Sequence, residues 1–372
     1  MLNVLIFAAG LAALVVGADV LVRGASKLAL SFGISPLVVG LTIVAFGTSA
    51  PEMAVSAGAV LNGQTDLAIG NVVGSNIFNV LFILGISALI APLVVHIQLI
   101  RQEVPILIGA SLLLLVLSLD GRLGLLDGAL FFGLLLAYTA FLIVQSRRET
   151  RAAQDAHTAP NEYETELKRS APDAWDSRLW VQLVLIVVGL GLLVVGSNWL
   201  VTASVVFAKA LGVSDVVIGL TIVAAGTSMP EVATSLAAAF KGERDIAVGN
   251  AVGSSTFNIL GCLGLSGLLA GNAGLVVPSS VLAFDMWVML AVALASLPIF
   301  LSGREIARWE GGVFLGYYVA YVTYLIMAAQ DHAALPTFSA VMMGFVIPLT
   351  VVTLVVSLIR RPPPPPPAAP KS

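Results

Sequence analysis

The sequence predicts an all-α membrane protein of about 11 transmembrane helices, built as two inverted five-helix repeats plus one extra C-terminal helix. Three observations carry that expectation. The chain is 58% hydrophobic and 10% charged, with a mean hydropathy of +1.01, far from the balance of a soluble domain. Stretches such as LLLLVLSL and VLIVVGLGLLVVG are apolar on every face, which fits helices in lipid and not the alternating strands of a barrel. Finally, one half of the chain matches the other at a constant spacing.

Apolar windows of the roughly 20 residues needed to cross a bilayer place spans near 2–22, 36–61, 67–92, 104–119, 124–145, 180–200, 215–240, 246–270, 281–301, 310–329 and 337–359. The N-terminal MLNVLIFAAG has no basic region before its apolar run, so it reads as the first span and not as a cleaved signal. Residues 1–145 form the first half. Residues 146–179, rich in Arg, Glu, Asp, Pro and Ala, read as a solvated cytoplasmic linker. Residues 180–330 form the second half and 331–359 the extra helix. Residues 360–372, RRPPPPPPAAPKS, read as a basic anchor followed by a polyproline spacer.

Lys and Arg are retained on the cytoplasmic side of short loops. With the N-terminus outside and the C-terminus inside, sixteen of the eighteen Lys and Arg fall inside, leaving only Arg122 and Lys209 outside. Cys262, the single cysteine, lies in an apolar run and reads as packing, with neither a disulfide nor a thiolate cluster open to it.

The segment from Gly33 to Gly85 matches Gly212 to Gly264 without a gap, at an offset of 179 residues, with 30 of 53 positions identical. Five spans separate equivalent points, and five is odd, so the copies enter the membrane from opposite sides, the arrangement of many secondary transporters. A duplication kept only for packing would let polar identities drift. Instead Thr48/Thr227, Ser49/Ser228, Glu52/Glu231, Asn71/Asn250, Ser75/Ser254 and Asn79/Asn258 are all retained.

A carboxylate at membrane depth costs about 2.5–3.5 kcal/mol on insertion scales, so Glu52 and Glu231 are candidate functional groups by default. Each follows a proline. Pro51 and Pro230 cannot donate to the carbonyls four residues back, at Gly47 and Gly226, and so free backbone oxygens in a bent helix. Each GTSxPE segment therefore offers carbonyls, two hydroxyls and one carboxylate, a set of oxygens suited to hard cations such as Ca2+. Zinc and copper would want His or Cys, and His96, His157 and His332 lie near span ends or in loops. In the second motif, GNxVGSxxFN, Ser75 and Asn79 share a helix face, as do Ser254 and Asn258. Gly70, Gly74, Gly249 and Gly253 form small-residue pairs for close helix packing, and Asn71 and Asn250 read equally as ligands or as interhelical hydrogen bonders. Asp66 and Asp245 stand where helix caps belong. Asp19 and Asp285 have no acidic counterpart in the other half, which predicts interfacial positions.

The paired GTSxPE and GNxVGSxxFN motifs resemble the alpha-repeats of the calcium/cation antiporter superfamily, in particular its prokaryotic sodium/calcium exchangers. The resemblance implies exchange of Na+ for Ca2+ by alternating access, K+-independent and electrogenic, with no cofactor and no enzymatic activity. It implies a Ca2+ site of Glu52 and Glu231 with the Thr48 and Thr227 carbonyls. One Na+ site would use the Ala45 carbonyl, Ser49, Ser254 and Glu231; its mirror image would use the Ala224 carbonyl, Ser228, Ser75 and Glu52. Asn79 and Asn258 would line the centre. The partners implied are Ca2+, Na+ and the lipid bilayer, without nucleic acid, in the cytoplasmic membrane of a prokaryote. The eleventh span, and an amide at Asn258 where some prokaryotic exchangers carry an acid, depart from the pattern. A proton/Ca2+ exchanger is the nearer rival, since Glu can carry protons. An intramembrane enzyme is the remote one, with no HExxH and no GxSG paired with a membrane histidine.

Overall fold

Backbone amides in lipid must find partners within the protein, and here nearly all of them do so in helices. The computed structural model describes residues 2–32, 35–155, 178–210 and 224–359. Most of the expected linker, the proline tail and the first part of the span expected at 215–240 lie outside the described residues.

The first half consists of α1 (Leu2–Phe32), the bent pair α2 (Leu37–Thr48) and α3 (Ala50–Leu61), α4 (Thr65–Ile90), α5 (Leu99–Leu117) and α6 (Leu125–Asp155). The second consists of α7 (Leu179–Ala210), the short α8 (Ala224–Thr227), α9 (Met229–Lys241), α10 (Arg244–Ala273), α11 (Val281–Leu301) and α12 (Arg308–Ala329), and α13 (Leu335–Val356) follows. Among the described residues nine helices are long and apolar enough to cross a membrane, ten with the bent pair. Helix α6 continues to Asp155, so the expected linker begins as helix. Helices α1 and α7 overrun their predicted spans by ten residues. Charged residues such as Arg23 and Lys27 end an apolar stretch without ending a helix, because both are good helix formers.

Two short ribbons tie the halves together. Strand β1 (Leu93–Val94) pairs with β4 (Glu305–Ile306), and β2 (Arg122–Leu123) pairs with β3 (Leu275–Val276), both antiparallel. Each ribbon thus takes one strand from each half.

Helices α1 and α7 lie antiparallel at a distance only glycine permits. A Cβ on Gly10 would sit 2.7 Å from the Leu200 backbone nitrogen, and one on Gly189 would sit 2.7 Å from that of Leu21. Gly249 and Gly253 bring α10 close to Leu37 and Leu41 of α2, where an added Cβ would meet the Leu37 carbonyl at 3.1 Å and the Leu41 Cα at 2.9 Å, the packing role expected for them. For Gly70 and Gly74 the equivalent partner positions, 216 and 220, fall outside the described residues. The capping role expected for Asp66 and Asp245 is not what the structure shows. Gln64 and Glu243 occupy the N-cap positions, and the two aspartates sit in the first turn, where their charge faces the positive end of the helix dipole.

Helix α13 docks on α12 through Tyr317, whose hydroxyl bonds Thr350 Oγ1 and donates to the Val346 carbonyl. That carbonyl ends a π turn, Met342–Val346. Replacing Gly189 by Leu forces a side chain into the backbone of α1. The expected cost is about 1–3 kcal/mol or more, read as a lower melting temperature of the detergent-purified protein, whereas Gly191→Leu, where a Cβ meets nothing within 4 Å, leaves it unchanged.

Candidate ion-binding site

Helix α2 ends at Thr48 and α3 resumes at Ala50, bent by 40° about Ser49, whose φ of −79° and ψ of 2° leave the helical well for the bridge region. The second copy breaks at Ser228 with φ −88° and ψ 9°. In both, the proline occupies the first turn of the resumed helix, the position that tolerates a missing N–H. The freed Gly226 carbonyl accepts the Ser197 hydroxyl, as removal of its i+4 donor by Pro230 requires.

The two breaks bring the glutamates together with the serines of the opposite repeat. Ser49 donates to Glu231 Oε1 at 3.2 Å, and Ser228 donates to Glu52 Oε1 at 2.7 Å. Glu52 and Glu231 are both 0% exposed, and neither forms an ion pair with any described Lys, Arg or His. On each carboxylate the second oxygen, Oε2, has no hydrogen-bond partner. Buried carboxylate oxygens without partners are costly, so these atoms point to a cation supplied from outside the chain.

Around each crossed pair the asparagine bonds are duplicated and the serine contacts differ. Ser228 Oγ, its proton committed to Glu52, also lies 3.2 Å from Ser75 Oγ, from which it can accept; on the other side Ser254 donates to the Ala45 carbonyl at 3.4 Å and lies 3.3 Å from Thr48 Oγ1. The structure therefore gathers Glu52, Ser228 and Ser75 into one cluster, and Glu231, Ser49, Ser254 and Ala45 into another. Thr227 Oγ1 meets Asn71 Oδ1 at 3.4 Å and Thr48 Oγ1 meets Asn250 Oδ1 at 3.0 Å. Asn71 donates to the Glu52 carbonyl and Ser56 Oγ, Asn250 to the Glu231 carbonyl and Ser235 Oγ. Both ends of both amides are thereby used between helices, so Asn71 and Asn250 brace the site. Asn79 and Asn258 are fully buried and each opens a π turn, Asn79–Leu84 and Asn258–Leu263, a device frequent at functional sites.

A family model described as sodium/calcium exchanger protein matches residues 2–144 and 181–327. The sodium/calcium exchanger MaX1 of Methanosarcina acetivorans is 35% identical over 87% of this chain and 98% of its own length. The inner membrane protein YrbG of Escherichia coli is 36% identical over 85% and 94%. The solved structure of the sodium-calcium exchanger NCX_Mj superposes with a TM-score of 0.72 at 30% identity, over 87% of this chain and 98% of that one. The chain belongs to the sodium/calcium exchanger family. It is a multi-pass membrane transporter, not an enzyme.

A second pair of intramembrane carboxylates in this exchanger escapes the fixed-offset repeat. Asp285 does have an acidic counterpart, Glu103. Each closes a π turn, Leu99–Glu103 in α5 and Val281–Asp285 in α11. Each accepts a tyrosine hydroxyl from the following span at 2.7 Å, Tyr138 to Glu103 and Tyr321 to Asp285. The spacing here is 182 residues where the motif repeat has 179, because the second half carries an extra three-residue 3-10 turn, Gly271–Ala273, ahead of β3. Gln98 adds a 3.3 Å bond to Glu103. Asp19, the other acidic residue expected at an interface, pairs with Lys241 at 2.7 Å. Tyr138→Phe strands the buried Glu103 Oε2 and is expected to cost about 1–3 kcal/mol, measured as a lower melting temperature. Tyr138→Phe with Glu103→Leu, which removes both partners, should recover part of the loss.

Proposed function

We propose that the crossed Ser–Glu pairs are the ion site through which this sodium/calcium exchanger trades Na+ for Ca2+ by alternating access between two inverted five-helix repeats. The observation that carries this is the pair of buried carboxylates, each with an uncommitted oxygen and no cationic side chain beside it. Both carboxylates used bidentately, with the Thr48 and Thr227 carbonyls, supply about the six oxygens Ca2+ requires. Ala45 O, Ser49, Ser254 and Glu231 form one Na+ site, and Ala224 O, Ser228, Ser75 and Glu52 its mirror image, with Asn79 and Asn258 lining the space between. Gly47, Pro51, Gly226 and Pro230 keep the helices broken so that these carbonyls stay available. The ribbons that join strands of opposite halves, and the duplicated bonds around each glutamate, support the inverted repeat.

In the membrane the N-terminus lies outside and the C-terminus inside, the orientation that retains most Lys and Arg in the cytoplasm. Residues 1–145 and 180–330 act as the two halves, joined by the cytoplasmic linker.

Glu52→Gln and Glu231→Gln each remove half of the charge that compensates a divalent ion in a medium of low dielectric. Each is expected to abolish uptake of radioactive Ca2+ into Na+-loaded proteoliposomes while the protein purifies in normal yield. Near wild-type uptake by either variant would overturn the site. Na+ and Ca2+ share the carboxylates, so calorimetric Ca2+ affinity should weaken as NaCl rises at constant ionic strength; an unmoved affinity favours proton coupling. With both glutamates ionised the site holds two negative charges, which one Ca2+ neutralises, whereas three Na+ leave a surplus positive charge. Uptake should therefore respond to membrane potential and persist when K+ is replaced by choline. Rates insensitive to potential would sink the three-Na+ stoichiometry, and loss of uptake without K+ would sink K+-independence.

A further inference from the structure

The two asparagines lining the centre are repeat equivalents, yet they are held in opposite senses. Ser255 Oγ donates to the Ala251 carbonyl at 2.9 Å. A hydroxyl has one proton, so towards Asn79 it acts only as an acceptor, and Asn79 turns its Nδ2 to it at 3.4 Å. Asn79 Oδ1 is then left buried and without a partner. In the other half, Cys262 Sγ donates to Asn258 Oδ1 at 3.6 Å, and it is Asn258 Nδ2 that is left buried and without a partner. Ser255 and Cys262 are positions where the repeat is broken, their equivalents being Asn76 and Ile83. Asn76 reinforces the arrangement by donating to the Ser255 carbonyl at 3.1 Å.

We propose that Ser255 and Cys262 are positioning residues that fix the sense of the two central amides, so that Asn79 offers oxygen to a cation while Asn258 offers N–H. The centre of the exchanger is then one-sided. A carboxamide is a cation ligand only through its oxygen, and the group its nitrogen donates to decides which end faces the ion. The inference rests on the ion-site reading given above.

The two positions should act in opposite directions, which loss of packing alone would not produce. Ser255→Ala frees the Asn79 amide to turn its N–H towards the ion, and the Na+ concentration giving half-maximal Ca2+ uptake should rise about two- to tenfold, the worth of one hydrogen bond. Cys262→Ala frees Asn258 to turn its oxygen inward, and the same half-maximal concentration should fall. Ser255→Thr and Cys262→Ser retain the hydrogen-bonding groups and should behave as wild type, while Cys262→Val removes the donor and keeps the volume should the alanine variant fold poorly. The measurement is uptake of radioactive Ca2+ into proteoliposomes loaded with graded Na+. A shift in the same direction for both positions, or no shift at either, overturns the proposal with exchange itself intact. Absence of Na+-driven uptake in the wild type overturns the exchange reading, and this inference with it.

Discussion

Two carboxylates buried in a membrane, with no basic residue beside them among the described residues, form the constraint around which this protein is organised. Each glutamate spends one oxygen on the serine of the opposite repeat and keeps the other uncommitted. Such an arrangement is costly in an empty apolar interior and favourable once a cation enters. The crossing matters because it ties the carboxylate of each half to the break in the other. A movement of one half against the other therefore alters both clusters together, which independent sites would not require. The braces from Asn71 and Asn250 hold the main chain at each glutamate to the next helix, so the geometry of the charges is set by helix packing and not by loops.

Helix breaks and π turns supply what regular helices cannot. An unbroken α-helix commits each interior carbonyl to its own ladder. At Ser49 and Ser228 the ladder is interrupted, and at Asn79 and Asn258 it is widened, so polar groups appear at the depth of the carboxylates without exposing backbone to lipid. Close glycine contacts then compress the helices around these irregular places. The seams between α1 and α7, and between α2 and α10, bring backbones nearer than any side chain would allow.

Much of this was legible in the residues. Glu52, Glu231 and their Ser, Thr and Pro neighbours stood out because packing alone does not keep a polar identity through duplication inside an apolar run. The role of Asn71 and Asn250 was open, because an asparagine bracing two helices and one holding an ion look alike without coordinates. Glu103, and with it the equivalence to Asp285, was missed for a mechanical reason: the turn at Gly271–Ala273 shifts the register by three residues, so a search at fixed spacing does not align the two. Asp66 and Asp245 were misplaced because a carboxylate in the first turn and one at the cap differ by two residues in sequence and share the same dipole.

Symmetry accounts for the frame and not for the whole centre. Had the duplication been preserved throughout, Asn79 and Asn258 would face identical surroundings, and the middle of the membrane would look the same from either half. The structure departs from that at Asn76 against Ser255 and at Ile83 against Cys262, the positions whose side chains reach the central amides or stand in for those that do. An inverted repeat needs its ends to be interchangeable for the site to open to either side. Its middle is under no such requirement, because side chains from both halves meet there at once. The differences at Ser255 and Cys262 therefore change the surroundings of the central amides without touching the crossed Ser–Glu bonds, and the lone thiol lies within one turn of Asn258.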